Sequence, residues 1–544
     1  MADGLTKYSG ATGSGEPGSP LAQEPRILER DVPFSQSIIW RLQGEFYANQ
    51  GLKAWTEDLV PSYITSNPMI AEIYAAIVAG FLSDCLKQQK TPHASLSPES
   101  PLRIVELGAG SGKFACLFLR KLTALLRERE MDAQLVRYEM TDCGEKVLDA
   151  WRGNQYLREF SDQGILHFLV LRADEASLMD LGGKNQAGPL VVIANYVFDS
   201  LPQDAFAVSK GEITEMLLTT SGDGDAINSL ALSFKNTPLP AHRYADPSWN
   251  RILEHYRNNI DEATILFPCV ALQMLEQMAR LNDGRMLVLV ADKGFAYEDE
   301  LTLSRGNPSL EFHSGNCFSQ QVNFDAIGKY FAARGGQALM PDKHFSSLSI
   351  CGFLQGGNNA FASTSAAYRS AQRQIGPDDL FTLLAWLNSH MEEMTVAQIL
   401  AMLRLTRWDP TALLRVFPVL ARQLGRAGAE RNDLREAVMR VWENRFPVTA
   451  ADNALGFHCG VILLELGYQA EALRMFQESE LMLGCSAATS YNLGLCAAGL
   501  GRAAEARKYM EEALSQDAEF AAARSALQKL NSGAGSQAIF KADE

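Results

Sequence analysis

No apolar run in the 544-residue chain reaches the roughly 20 residues that a bilayer-spanning helix requires. The longest, Met69 to Leu82, carries Glu72 inside it. The opening stretch, MADGLTKYSGATGSGEPGSPLAQEP, lacks the apolar centre of a secretory signal and is rich in Gly, Ser and Pro. The 9 cysteines are dispersed with no C-x-x-C pair, and the 8 histidines include no H-E-x-x-H, so no metal site is expected. Scattered, odd-numbered thiols in a large chain fit a reducing compartment. Basic residues are outnumbered, 49 Lys and Arg against 64 Asp and Glu, for a net charge of −15. A general grip on nucleic acid needs clustered Lys and Arg to displace counterions, so that class is disfavoured. What remains is a cytoplasmic, membrane-free protein with 47 % apolar residues, enough for ordinary buried cores.

Along the chain, residues 1–32 read as a disordered tail and 33–98 as a helical cap. Ile70, Ile73, Tyr74, Ile77, Val78 and Phe81 recur there at helical spacing. From Leu102 short apolar strands alternate with helices. Strands are expected at Arg103–Leu107, Leu135–Met140, Leu166–Leu171, Leu190–Ala194 and Arg285–Val290. Helices are expected at Lys113–Glu130, Lys146–Phe160, Val270–Leu281 and Asn323–Ala333. Gln337–Met340 and Ser346–Phe353 would close the unit as an edge pair. This alternation predicts an α/β, Rossmann-like, doubly wound and mostly parallel sheet over 99–354, interrupted by an insertion at about 210–264. Residues 355–375 read as a linker. Residues 376–532 read as all-helical, and 533–544 as a second disordered tail. Within the helical part, Gly460, Leu466, Gly467, Ala470, Glu471 and Ala472 recur 34 positions later as Gly494, Leu500, Gly501, Ala504, Glu505 and Ala506. This period resembles the tetratricopeptide repeat, whose helix pairs stack through small residues.

Chemistry concentrates in the turn Glu106-Leu-Gly108-Ala-Gly110-Ser-Gly112, between a strand and a helix. Glycines let the backbone approach a ligand, and the free amides of the following helix face it. A phosphate loop needs G-x-x-x-x-G-K-[ST]; here Phe114 follows Lys113 and Leu107 stands at the first glycine position. The dinucleotide fingerprint places its third glycine where Lys113 stands, which disfavours a nicotinamide-dependent oxidoreductase.

The remaining pattern, Glu-x-Gly-x-Gly-x-Gly, resembles motif I of class I S-adenosylmethionine-dependent methyltransferases. The resemblance implies S-adenosyl-L-methionine as cofactor. Gly108, Gly110 and Gly112 would approach its methionyl part, and Glu106 would orient that part. An acid at the end of the second strand would bind ribose: Asp142, with Glu139 and Glu145 as rivals. Asp174 would meet the adenine amino group. Asn195-Tyr-Val-Phe198-Asp199-Ser-Leu201-Pro202 resembles the N-E-x-F-D-x-L-P stretch of the MidA-like family, to which a mitochondrial complex I assembly methyltransferase belongs. Tyr63-Ile-Thr-Ser-Asn67-Pro68 and Val322-Asn-Phe-Asp325, preceded by His313, echo two further segments in the same order. By that resemblance Asn195 would face the methyl group, and Asp199 would be the acceptor-side acid or base, with His313 a weaker candidate. Tyr196 stands where the family carries Glu, which lowers the number of carboxylates available to an arginine acceptor; Asp199 and Asp204 remain. The expected function is methyl transfer to a protein acceptor recruited by the repeats. The competing reading is an inactive methyltransferase-like scaffold whose repeats bind partners.

Overall fold

The computed structural model describes residues 26–57, 59–60, 62–88, 96–171, 188–224, 226–313, 316–342, 348–356, 361–374, 376–426 and 428–532. Strand β1 (Ile27–Pro33) is followed by helices α1 (Ile38–Gln50) and α2 (Pro68–Lys87). Asn67 caps α2 by accepting from the N–H groups of Met69 and Ile70, and Pro68 takes the first turn, where its missing N–H is not needed. Next come β2 (Leu102–Leu107), α3 (Lys113–Glu128), β3 (Val136–Asp142), α4 (Glu145–Gly153), α5 (Gln155–Asp162), β4 (Leu166–Val170) and β5 (Leu190–Asn195). Then follow β6 (Asp204–Ser209), β7 (Glu212–Ser221), β8 (Ala231–Pro238), α6 (Pro247–Asn259) and β9 (Glu262–Phe267). The alternation resumes with α7 (Cys269–Arg280), β10 (Met286–Asp292), α8 (Phe324–Ala333), β11 (Gln337–Leu339) and β12 (Ser349–Gln355).

The central sheet has the order β11-β12-β10-β5-β2-β3-β4. Its five strands from β10 to β4 are parallel, while β12 is antiparallel to both neighbours, so the sheet is mixed. Helices α2 to α5 cover one face and α6 to α8 the other, which is why β5 is apolar and buried along its length until Asn195. Strand order reverses between β2 and β5. Leu107 lies beside Ala194 and Glu106 beside Met140, so the carboxyl ends of β2, β3 and β5 share one crevice. Ligands bind such sheets at that reversal.

Several expectations need correction. The helix expected over Lys146–Phe160 divides at Asn154, which leaves helical geometry and caps α5 through the Tyr156 N–H. The insertion is an antiparallel sheet that begins earlier, at β6, and has the order β1-β7-β6-β9 with β8 on β7. Lys210 and Gly211, at φ +51 and +82, make its two-residue hairpin. The tail expected over 1–32 ends sooner, because Ile27–Pro33 pairs with β7; residues 1–25 lie outside the described residues. Within the strand the Asp31 N–H donates to the Thr219 hydroxyl, 188 residues along the chain and beyond any local pattern. The linker expected over 355–375 contains helix α9 (Ala362–Gln372). Its first turn is fixed to α2 by Asp84, which accepts from the N–H groups of Ser363 (3.1 Å) and Thr364 (2.8 Å). Phe361 stacks on Phe81 with ring centroids 5.3 Å apart. The Ala- and Ser-rich composition that reads as a loop instead permits close helix packing. Tyr63–Lys87, longer than the apolar run read from sequence, could cross a membrane by length and composition. Its apolar window is 72 % buried within the fold, as a core helix would be.

The chain continues as helices α10 (Pro377–Ser389), α11 (Val396–Leu405), α12 (Pro410–Ala421), α13 (Arg431–Glu443), α14 (Leu455–Glu465), α15 (Gln469–Leu483), α16 (Ala487–Gly499), α17 (Ala503–Gln516) and α18 (Ala521–Asn531). The 34-residue period corresponds to two hairpins, α14–α15 and α16–α17. Gly460 meets Phe476 and Gly494 meets Met510 so closely that a Cβ on either glycine would lie 2.7 Å from the partner side chain. Residues 533–544 lie outside the described residues.

Candidate cofactor site

From the end of β2 the chain passes through Gly108 (φ +60), Gly110 (φ +54) and Gly112 (φ +80) into α3. The turn is fastened to β3 and α4. The Ala109 N–H donates to the Thr141 carbonyl (2.9 Å), the Trp151 indole N–H to the Gly110 carbonyl (2.9 Å), and the Gly110 N–H to Asp142 Oδ2 (3.3 Å). A Cβ on Gly110 would stand 2.8 Å from the Trp55 indole. Gly112 faces the other way, toward Met140 and Leu157 inside the fold. Its expected approach to a ligand is corrected: it shapes the helix start, while Gly108 and Gly110 face the crevice.

A cavity of about 660 Å³ opens at the carboxyl ends of β2, β3 and β5. Its floor is the turn from Glu106 to Ser111, with Asp142 on one side and Asn195 to Val197 on the other. Tyr47 of α1, with Trp55, Thr65 and Ser66 from the segment between α1 and α2, makes the opposite wall. Among the three rival acids, only Asp142 lines the cavity. It is buried and accepts from the N–H groups of Cys143 (2.8 Å) and Gly110; burial pushes its pKa up against those bonds. Glu139 is occupied by Arg103, at 3.1 and 2.7 Å, and by Arg137 at 3.0 Å, and Glu145 is exposed at the start of α4. Glu106 lines the cavity and accepts from the Tyr138 hydroxyl (2.9 Å). Burial raises its pKa to about 8, opposed by the tyrosine bond and helped by the charge of Asp142.

Asn195 also lines the cavity. The Tyr74 hydroxyl donates to its Oδ1 (2.9 Å), which orients the amide. Its Nδ2 is buried and has no hydrogen-bond partner among the described residues. Tyr196 follows in the left-handed region at φ +52, held by its N–H on the Ala291 carbonyl (2.9 Å). Asp199, expected on the acceptor side, is not among the cavity-lining residues. It is buried, accepts from the Ser200 hydroxyl (2.9 Å), and lies beside Asp292. Asp292 is fully buried, and its Oδ2 accepts from the N–H groups of Phe198 (3.1 Å) and Asp199 (3.3 Å). Burial raises both carboxyls, Asp199 to about 6, and the charge of Asp199 adds to the rise at Asp292, so the two titrate as one coupled pair. His313 bonds Ser319 (2.9 Å) and does not line the cavity. Asp204 is engaged in the second sheet by Ser35, Arg243 and Tyr244. Asp174 lies outside the described residues.

Sequence reasoning missed Asp292, Tyr47, Trp55 and Tyr74. Asp292 carried a readable signal, an acid at the carboxyl end of a buried parallel strand. The aromatic residues carried none, because helical spacing alone cannot say which helix face meets a cavity.

A family model described as "Putative S-adenosyl-L-methionine-dependent methyltransferase" matches residues 78–357, just over half of the chain. The chain belongs to this methyltransferase family. No curated protein matches it. Among solved structures, it is similar to a protein from Burkholderia thailandensis bound to S-adenosyl-homocysteine: 18 % identity over 61 % of this chain and 90 % of that one, TM-score 0.40. An uncharacterized protein from the same organism matches with equal identity and coverage and a TM-score of 0.38. A plantazolicin methyltransferase in complex with SAH matches at 10 % identity over 59 % of this chain and all of that one, TM-score 0.26.

S-adenosyl-L-methionine is thus the cofactor of this methyltransferase. The residues present fit it: a glycine cradle that a Cβ at Gly110 would fill, a carboxylate at the end of β3, and an unpartnered amide donor at Asn195.

Proposed function

We propose that this methyltransferase transfers a methyl group to a protein acceptor that its C-terminal helices recruit. The observation that carries the reading is the cavity, which brings Gly108, Gly110, Asp142 and Asn195 together at the point where strand order reverses. The cofactor supplies a methyl group activated on a sulfonium, so the chain's own task is to bind, orient and accept a proton. Asp142 accepts from the ribose hydroxyls, the Gly108–Gly110 backbone approaches the methionyl part, and Glu106 pairs with its ammonium. Asp174 keeps its proposed place at the adenine. Asn195 presents its amide N–H to the reacting side, oriented by Tyr74. Asp199, beside Asp292 and next to the cavity-lining Ser200, is the carboxylate toward which an acceptor's proton leaves. The resemblance to the MidA-like family and to tetratricopeptide repeats supports a macromolecular acceptor, since stacked helix pairs of the kind α14–α15 and α16–α17 form build extended binding surfaces in repeat arrays.

The test is transfer of a labelled methyl from S-adenosyl-L-methionine into a cell extract by the full chain, with the Asp142→Ala chain as control. Label in a discrete protein, lost with Asp142→Ala, is the expected result. Label confined to small molecules or RNA would sink the protein acceptor. Failure of the full chain to bind S-adenosylhomocysteine would favour the scaffold reading.

A further inference from the structure

The wall of the cofactor cavity opposite the glycine turn is made by a short segment that the C-terminal helices hold. Ser62, Thr65 and Ser66 line the cavity. Between them Tyr63 points the other way, and its hydroxyl donates to Asp409 Oδ2 (2.8 Å). Asp409 is 1 % exposed, and its Oδ1 caps α12 through the Thr411 N–H (2.8 Å). The Arg415 guanidinium lies 5.8 Å from the Tyr63 ring centroid. Asn67 ties the same turn to α2 by donating to the carbonyls of Tyr63 (3.1 Å) and Ile64 (2.9 Å).

The contact comes from a strained turn. Arg407 and Trp408, just before Asp409, are consecutive non-glycine residues at φ +56 and +61. Left-handed backbone at such residues persists only where surrounding structure imposes it, and it gathers at functional positions. Here Asn444 imposes it by donating to the carbonyls of Arg407 (2.9 Å) and Trp408 (3.0 Å). The turn thereby presents Arg407 to Glu72 on α2 (3.1 Å) and Asp409 to Tyr63. A second clamp, Arg120 on the carbonyls of Glu443 (2.8 Å) and Arg445 (2.9 Å), fixes α3 to the helices.

We propose that Tyr63 and Asp409 are positioning residues for the cofactor cavity: through them the C-terminal helices set the Ser62–Ser66 wall and so the affinity for cofactor. The inference rests on the cofactor assignment to this cavity. Because coupling between two sites is reciprocal, whatever binds the helices and shifts the Arg407–Asp409 turn changes cofactor affinity, and cofactor changes its affinity by the same factor.

The test uses the full chain and calorimetric titration with S-adenosylhomocysteine, at a temperature where circular dichroism shows every variant folded. Tyr63→Phe removes only the hydroxyl and is expected to weaken binding about fivefold or more. Asp409→Ala matches it, and the double variant is no weaker than either single one. Asp409→Asn keeps both an acceptor for Tyr63 and the cap of α12, and binds within about twofold of the unaltered chain. Tyr468→Phe deletes another tyrosine bond within the helices, to Asn432 (2.6 Å), and leaves affinity unchanged. A general loss of stability would not separate these variants. Tyr63→Phe and Asp409→Ala binding like the unaltered chain would overturn the proposal. No binding by the unaltered chain would instead overturn the cofactor assignment on which it rests.

Discussion

Replacing Gly110 by alanine tests the cavity geometry most directly. Two costs meet at this position. The backbone stands at φ +54, where an L side chain costs roughly 1–2 kcal/mol. The new Cβ would also lie 2.8 Å from Trp55, so the indole must move; overpacking of this kind costs about 1–3 kcal/mol. Together the loss is about 2–5 kcal/mol. Gly108→Ala is the internal control. Its φ is +60, but its Cβ would sit 3.4 Å from Val197, an ordinary contact, so only the backbone cost of roughly 1–2 kcal/mol applies. In a Trp55→Ala background the indole is gone and the two alanine variants should lose the same stability. Urea unfolding of the five single and double variants reads the difference as a coupling energy. S-adenosylhomocysteine titration gives a second reading, because a displaced Trp55 opens the wall above the turn. If Gly110→Ala is as mild as Gly108→Ala with Trp55 present, the indole does not close on the turn and the cavity described here is wrong.

Three further outcomes follow from the same geometry. Asp142→Ala removes the buried carboxylate that we propose accepts two ribose hydrogen bonds, each worth about 1.5–3 kcal/mol, so S-adenosylhomocysteine affinity should fall at least a hundredfold by calorimetry. Glu106 has a folded pKa raised to about 8, above its ordinary 4.5. The stability it contributes is therefore complete below about pH 4.5 and lost as pH rises through about 8. Glu106→Gln should accordingly gain melting temperature relative to the unaltered chain as pH rises from about 4.5 to about 8; parallel pH curves would refute the burial argument. Arg103→Ala leaves the buried Glu139 with Arg137 alone and should cost about 3–5 kcal/mol in urea unfolding, whereas replacing Arg103 and Glu139 together by methionine should cost far less.

The strands of the central sheet, the glycine turn with Asp142 and Asn195 at neighbouring strand ends, and the 34-residue helical period were legible from residues alone. Each is a local pattern: an apolar run, a spacing of glycines, a recurrence at fixed offset. Such patterns follow from which side chains a strand or helix must bury, and that is decided within a few residues. Only the tertiary structure separated Asp142 from Glu139, because both sit in one strand and the difference is an arginine 36 positions away. It alone turned Gly112 from the cavity, set Asp199 behind the wall against Asp292, joined Ile27–Pro33 to a sheet and made a helix of Ala362–Gln372. It also closed the cavity with Trp55 and Tyr47 and tied that wall to Asp409, 346 residues beyond Tyr63. These contacts join segments whose own sequences are compatible with loop, tail or plain amphipathic helix, and their free energy comes from packing and hydrogen bonds that exist only once the distant partner is in place.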